Sequence, residues 1–145
     1  MNFPSQDPEL APADAAAAIR TIVLLYEAAV DAIESAAAAV EAGDIVGRCR
    51  GVERAFGIVA HLYGCLDRER GGEVAENLAR SYRLVLARLV LVGPRNDAGP
   101  ARDAVRLLSP LLQAWQQLET AGPLDGAGEA AAAANAAYSR PAAAA

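Results

Sequence analysis

The sequence predicts an all-α fold, an antiparallel up-down-up-down four-helix bundle. Three observations carry this. Apolar residues recur at three- and four-residue spacing in four separate windows. Short stretches containing Gly, Pro or Asp part those windows. The stretch from Leu66 to Leu78 has the character of a tight helix–helix turn. There Gly71 and Gly72 can end one helix, Arg68 and Arg70 suit its negative C-terminal end, and Glu73 and Glu76 suit the positive start of the next.

Residues 1–13 hold Pro4, Pro8 and Pro12 with few apolar anchors, and read as a flexible N-terminal arm. The bundle is expected over 14–121. Its first helix opens near Asp14 and runs to Ala42, before Gly43. Ile19, Ile22, Val23, Tyr26, Val30, Ile33 and Val40 form its core-facing stripe, and alanines beside them allow close helix approach.

Gly43 reads as the glycine that closes this helix, and Asp44 as the N-cap of the second, from about Ile45 to Arg70. Ile45, Cys49, Val52, Phe56, Val59, Tyr63 and Leu66 follow a seven-residue rhythm. Gly47, Gly51, Gly57 and Gly64 each cost this helix ~1 kcal/mol relative to Ala, so tertiary packing must hold it, with backbones close together.

The third helix is expected from about Glu73 to Val92, with Val74, Leu78, Val85, Leu89 and Val92 as its main stripe. Tyr82, Leu86, Val90, Leu84 and Leu91 widen that stripe beyond what one seam needs. Two Gly-Pro pairs make a loop of Gly93–Pro100. The fourth helix runs from about Ala101 to Ala121, and Pro110 should kink it or break its ladder locally. Residues 122–145 are rich in Ala, Gly and Pro and read as a disordered tail.

Composition narrows the function classes. The chain has 145 residues, a net charge of -5 and no lysine. That acidity disfavours nucleic acid and anionic membrane surfaces, both of which attract basic patches. No apolar run reaches the length of a membrane span, and the N-terminus lacks the basic and apolar regions of a signal peptide, so a cytoplasmic protein is expected. Cys49 and Cys65 lie sixteen residues apart on one expected helix, ~24 Å, too far for a disulfide. They read as small buried hydrophobes.

Catalytic and metal chemistry find little support. His61 has only Cys65 one turn away, and two ligands do not make a zinc site. The serines lack a nucleophile elbow, and no phosphate-cradling or dinucleotide motif occurs. No enzyme activity and no cofactor are expected. What remains is an apolar surplus with amphipathic aromatics at Tyr26, Tyr63, Tyr82 and Trp115, suited to a partner's helices.

The ordered series of motifs resembles the flagellin-specific export chaperones of bacteria, the FliS family. It consists of Leu24-Leu25-Tyr26-Glu27-Ala28-Ala29, the turn Glu41-Ala42-Gly43-Asp44, and Ala55 to Leu66 with Ile58, Leu62 and Leu66 apolar. Asp67 to Leu78 followed by Tyr82, then Leu86 and Leu89, then Ala114-Trp115, complete it. The chain departs from the family pattern in having only Phe3 where the arm usually carries a Tyr, and Val92-Gly93-Pro94 at the end of the third helix.

The resemblance implies a cytoplasmic chaperone that binds the disordered C-terminal segment of flagellin. It would prevent premature polymerisation and deliver its client to the flagellar type III export apparatus. It implies a client groove at Tyr26, Leu62, Tyr82, Leu86, Leu89 and Trp115, with Gly71, Gly72 and Asn77 setting the turn. The alternative is a non-catalytic helical adaptor, or a bundle that associates with itself as a homodimer, without a flagellin client.

Overall fold

The computed structural model describes residues 12–121 and 136–138; side chains are described from Ala15 onward. The expected arm, apart from its last residues, and most of the expected tail lie outside the described residues. Four helices follow one another: α1 (Pro12–Ala42), α2 (Ile45–Gly64), α3 (Arg68–Arg95) and α4 (Gly99–Ala121). Connections this short make consecutive helices antiparallel neighbours. α1 also packs on α4, which closes the four-helix bundle.

Side chains fix the register. Arg20 pairs with Glu119, Glu27 accepts from Gln116, and Arg102 pairs with Glu41, so α1 and α4 run in opposite directions. Arg48 near the start of α2 donates to Asn96 at the end of α3, at 2.7 Å. The core is apolar apart from its tyrosine hydroxyls, with Val23, Tyr26, Ile33, Val59, Leu62, Tyr82, Val85, Leu89 and Leu108 fully enclosed, and no charged side chain is buried among the described residues.

The first corner is as the sequence predicts. Gly43 takes φ +72°, and the Asp44 side chain accepts the Gly47 N–H at 2.9 Å. The second corner lies elsewhere. α2 ends at Gly64, the turn is Cys65–Asp67, and Asp67 rather than a glycine starts the next helix by accepting the Arg70 N–H. Arg68 and Arg70 therefore belong to the first turn of α3, not to the end of α2. The glycine pair lies inside α3. Gly72, at φ +52° and ψ −129°, breaks the helix there, a backbone shape that only glycine takes without strain. Glu73 and Glu76 follow this break.

α3 also runs past its expected end to Arg95, with Asn96 as a left-handed cap, and the turn to α4 is only Asn96–Ala98. Pro100 fits the first turn of α4, where its missing N–H leaves no partner unbonded. Pro12 likewise opens α1 two residues ahead of Asp14. α4 stays helical through Pro110.

The buried face of α2 is rotated from the expected stripe. It is Gly51, Ala55, Val59 and Leu62, while Ile45 and Phe56 are 64% and 38% exposed and Cys49 is exposed. Gly51 explains the rotation. A Cβ there would stand 2.8 Å from the Ala32 carbonyl oxygen and 2.9 Å from the Ala36 nitrogen. The α1 and α2 backbones meet where side chains are smallest, and the large residues turn outward. Gly57 and Gly64 have open space beside them, and a Cβ on Gly47 would meet the Asp44 side chain first and the Ala39 Cβ of α1 at 3.3 Å, so the approach to the α1 backbone is made at Gly51.

Candidate functional site

Three aromatic side chains from three helices meet at one place. Tyr26 of α1 and Tyr82 of α3 share a hydrogen bond between hydroxyls at 2.5 Å, with ring centroids 6.1 Å apart. Trp115 of α4 lies 6.4 Å from the Tyr26 ring, tilted against it. Each has its neighbours at the right helical spacing. Ile22, Val23 and Ala29 flank Tyr26, Leu78, Ala79 and Val85 flank Tyr82, and all are buried. Tilted aromatic pairs of this kind add about 0.5–1.5 kcal/mol each beyond the area they bury.

A fourth aromatic arrives from the chain's C-terminal segment. The turn Ala136–Tyr138 seats itself against the bundle. The Tyr138 ring meets Trp115 edge-on at 5.7 Å, and its hydroxyl bonds that of Tyr82. Ala137 is fully buried and its carbonyl accepts the Asp67 N–H at 2.7 Å. Burial foremost, and then the neighbouring hydroxyls, push the ionisation of Tyr26, Tyr82 and Tyr138 far above a tyrosine's usual 10. The three hydroxyls therefore form a neutral hydrogen-bonded chain.

The glycine before the break serves this contact. Gly71 is buried, and a Cβ on it would lie 2.6 Å from the Ala75 Cβ and 2.8 Å from the Ala137 Cα. The sequence assigned Gly71 to a turn; its place in the structure is the floor beneath Ala137. Gly72 makes the break. Asn77 is exposed on α3 beyond it, with its carbonyl accepting from Ser81, and takes no part in the corner.

Beside this seat a recess of about 620 Å³ opens at the α2–α3 corner, lined by Tyr63, Leu66, Asp67 and Arg68 among others. Arg68 stacks over the Tyr63 ring at 5.5 Å and donates to its hydroxyl at 2.8 Å. Arg83, and to a smaller extent Arg68, lower the ionisation of Tyr63.

Of the residues expected to line a groove, Tyr26, Tyr82 and Trp115 meet at the aromatic site, closed over by Tyr138. Leu62 and Leu89 are enclosed in the core, and Leu86 is half-buried one turn along α3 from Tyr82. The exposed large apolar side chains are others: Leu24, Ile45, Val46, Phe56, Leu84 and Val90. Sequence reading placed Ile45 and Phe56 inside because it followed residue size rather than the small residues of Gly51 and Ala55. It missed Tyr138, which stood alone in an alanine-rich tail. His61 and Cys65 approach to 3.7 Å, but no group of three potential metal ligands occurs among the described residues. Among those residues no helix is long and apolar enough to cross a membrane.

The sequence profile of the family described as "Flagellar protein FliS" matches residues 10–122, the whole bundle. The chain belongs to the FliS family. It is 35% identical over 98 residues to the flagellar secretion chaperone FliS of Salmonella typhimurium, covering 67% of this chain and 73% of that one. It is 34% identical over 96 residues to the flagellar secretion chaperone FliSB of Pseudomonas aeruginosa, covering 66% and 76%. The FliS chaperone of Vibrio cholerae is 25% identical over 104 residues, covering 72% and 76%. The FliS profile stops at residue 122, so Tyr138 lies beyond the matched region.

Proposed function

We propose that this FliS-family chain is a cytoplasmic, non-catalytic chaperone for flagellin. It holds the client's C-terminal segment as partly helical structure on the bundle, prevents premature polymerisation, and delivers it to the flagellar type III export apparatus. Family membership is the observation that carries this reading. The surface is consistent with it. Adjacent, antiparallel α2 and α3 carry Ile45, Val46, Phe56, Leu84 and Val90 outward, an apolar supply for the face of an amphipathic client helix. The aromatic site of Tyr26, Tyr82 and Trp115, with Leu86 beside it, is the second apolar contact region. Folding a disordered client onto the bundle costs about 2–5 kcal/mol of the gross interaction, so two contact regions serve better than one.

The test is calorimetric titration of the chain with a C-terminal flagellin peptide from the same organism. Binding is expected, together with a negative heat-capacity change from apolar burial. Phe56→Asp and Leu86→Asp should weaken it while thermal unfolding stays within a few degrees of the parent. A chain that ignores the peptide, and instead forms a dimer by light scattering, would point to the self-associating alternative.

A further inference from the structure

We propose that Ala136–Tyr138 is a resident occupant of the client site, a stand-in ligand that flagellin's C-terminal segment must displace. This deepens the chaperone reading and rests on it.

The contact has the make-up of peptide recognition. Ala137 offers a backbone carbonyl to the Asp67 N–H, a bond that any peptide could replace. Its small, fully buried side chain packs against Gly71, whose missing Cβ leaves the space it occupies. Tyr138 supplies one aromatic anchor to Trp115 and one hydroxyl to Tyr82. A small residue followed by an aromatic, in a helical turn, is therefore the pattern the seat accepts.

The contact is also narrow. One aromatic ring and one buried alanine hold it, and residues 122–135 offer no large apolar side chain besides Leu124. Tethering makes the encounter intramolecular, so a weak contact can still keep the seat filled. A client segment with a longer apolar face would bury more surface on the same aromatics and win the exchange. The occupant thereby covers Tyr26, Tyr82 and Trp115 until a client arrives, and lowers apparent client affinity by the fraction of time the seat is free.

The experiment uses the full chain and its single tryptophan, Trp115. Tyr138→Ala, and independently Ala137→Glu, should shift Trp115 emission without peptide, and each should retain the parent's helical circular dichroism. A tryptophan-free flagellin C-terminal peptide should move the emission of the parent chain in the same direction as these substitutions. It should bind both variants several-fold more tightly, about tenfold if the seat is filled nine-tenths of the time. Equal or weaker binding by the variants overturns the stand-in role while leaving the chaperone reading in place. No binding to any of the three chains overturns both. Unchanged emission in both variants overturns docking of the turn itself.

Discussion

The Tyr82 hydroxyl stands between two others, bonded to Tyr26 on α1 and to Tyr138 beyond the bundle. It is the middle link of a buried polar chain in an otherwise apolar core. Tyr82→Phe keeps the ring and removes the link, leaving the Tyr26 hydroxyl enclosed without this partner. The expected loss is about 1–3 kcal/mol in urea unfolding followed by circular dichroism. A loss of less than about 0.5 kcal/mol would mean that the ring alone matters.

The same tyrosines set an alkaline limit. Their ionisation in the folded chain is raised far above the usual 10.0, chiefly by burial. Folding therefore favours the protonated form. The associated stability is fully present below pH 10 and is lost as pH rises above it, because only the unfolded chain then releases these protons. Denaturant midpoints should hold from pH 7 to 9 and fall steeply above 10. Tyr138→Phe should make that fall shallower. A flat profile to pH 11 would contradict the burial of the hydroxyls.

Two glycines of α2 should respond oppositely to alanine. At Gly51 the added Cβ meets the α1 backbone below 3 Å, so Gly51→Ala should destabilise by about 1–3 kcal/mol. At Gly57 the space is open and the residue is mid-helix, so Gly57→Ala should stabilise by about 0.5–1 kcal/mol. Thermal melts of the pair check both signs.

Gly72 has open space for a Cβ but a backbone angle of φ +52° with ψ −129°. Gly72→Ala should therefore cost about 1–3 kcal/mol through strain alone. Loss of that size without a change in Trp115 emission would assign the cost to the local backbone; no loss would mean that the break in α3 readily straightens.

Much of this fold could be read from the sequence where its signals are strong. The stripes of α1 and α3 run over long windows, and Gly43-Asp44 is a cap signature with a direct mechanism, so the first corner and the inward faces of both helices appear as expected, while α3 begins and ends beyond its expected bounds. At α2 the large Ile45 and Phe56 suggest one inward face, whereas the small Gly51 and Ala55 make the actual one. Periodicity weighs residues by size, but close helix approach is made by residues that have little. Gly71-Gly72 is ambiguous in sequence, because a glycine pair marks a helix stop as readily as a break within a helix or a floor under a neighbouring segment. Asp67, the true N-cap, stands at the head of seven consecutive charged and glycine residues, Asp67 to Glu73, none of which singles it out.

For the site, Tyr26, Tyr82 and Trp115 were foreseen through the family resemblance and do come together. Spacing along each helix shows which face a residue occupies, but not that the three faces converge. Tyr138 carried no signal, because a lone aromatic in low-complexity sequence has no period to join.

The short C-terminal turn rests on both sides of the break in α3. Ala137 touches Asp67 and Gly71 ahead of Gly72, while Tyr138 holds Tyr82 well after it. Three residues thus act as a splint across a bent rod. When the splint is lifted, the first turn of α3 is joined to the remainder by Gly72 and the solvent-exposed Arg68–Glu76 ion pair, and the corner of the bundle gains a pivot at the spot from which the splint has gone.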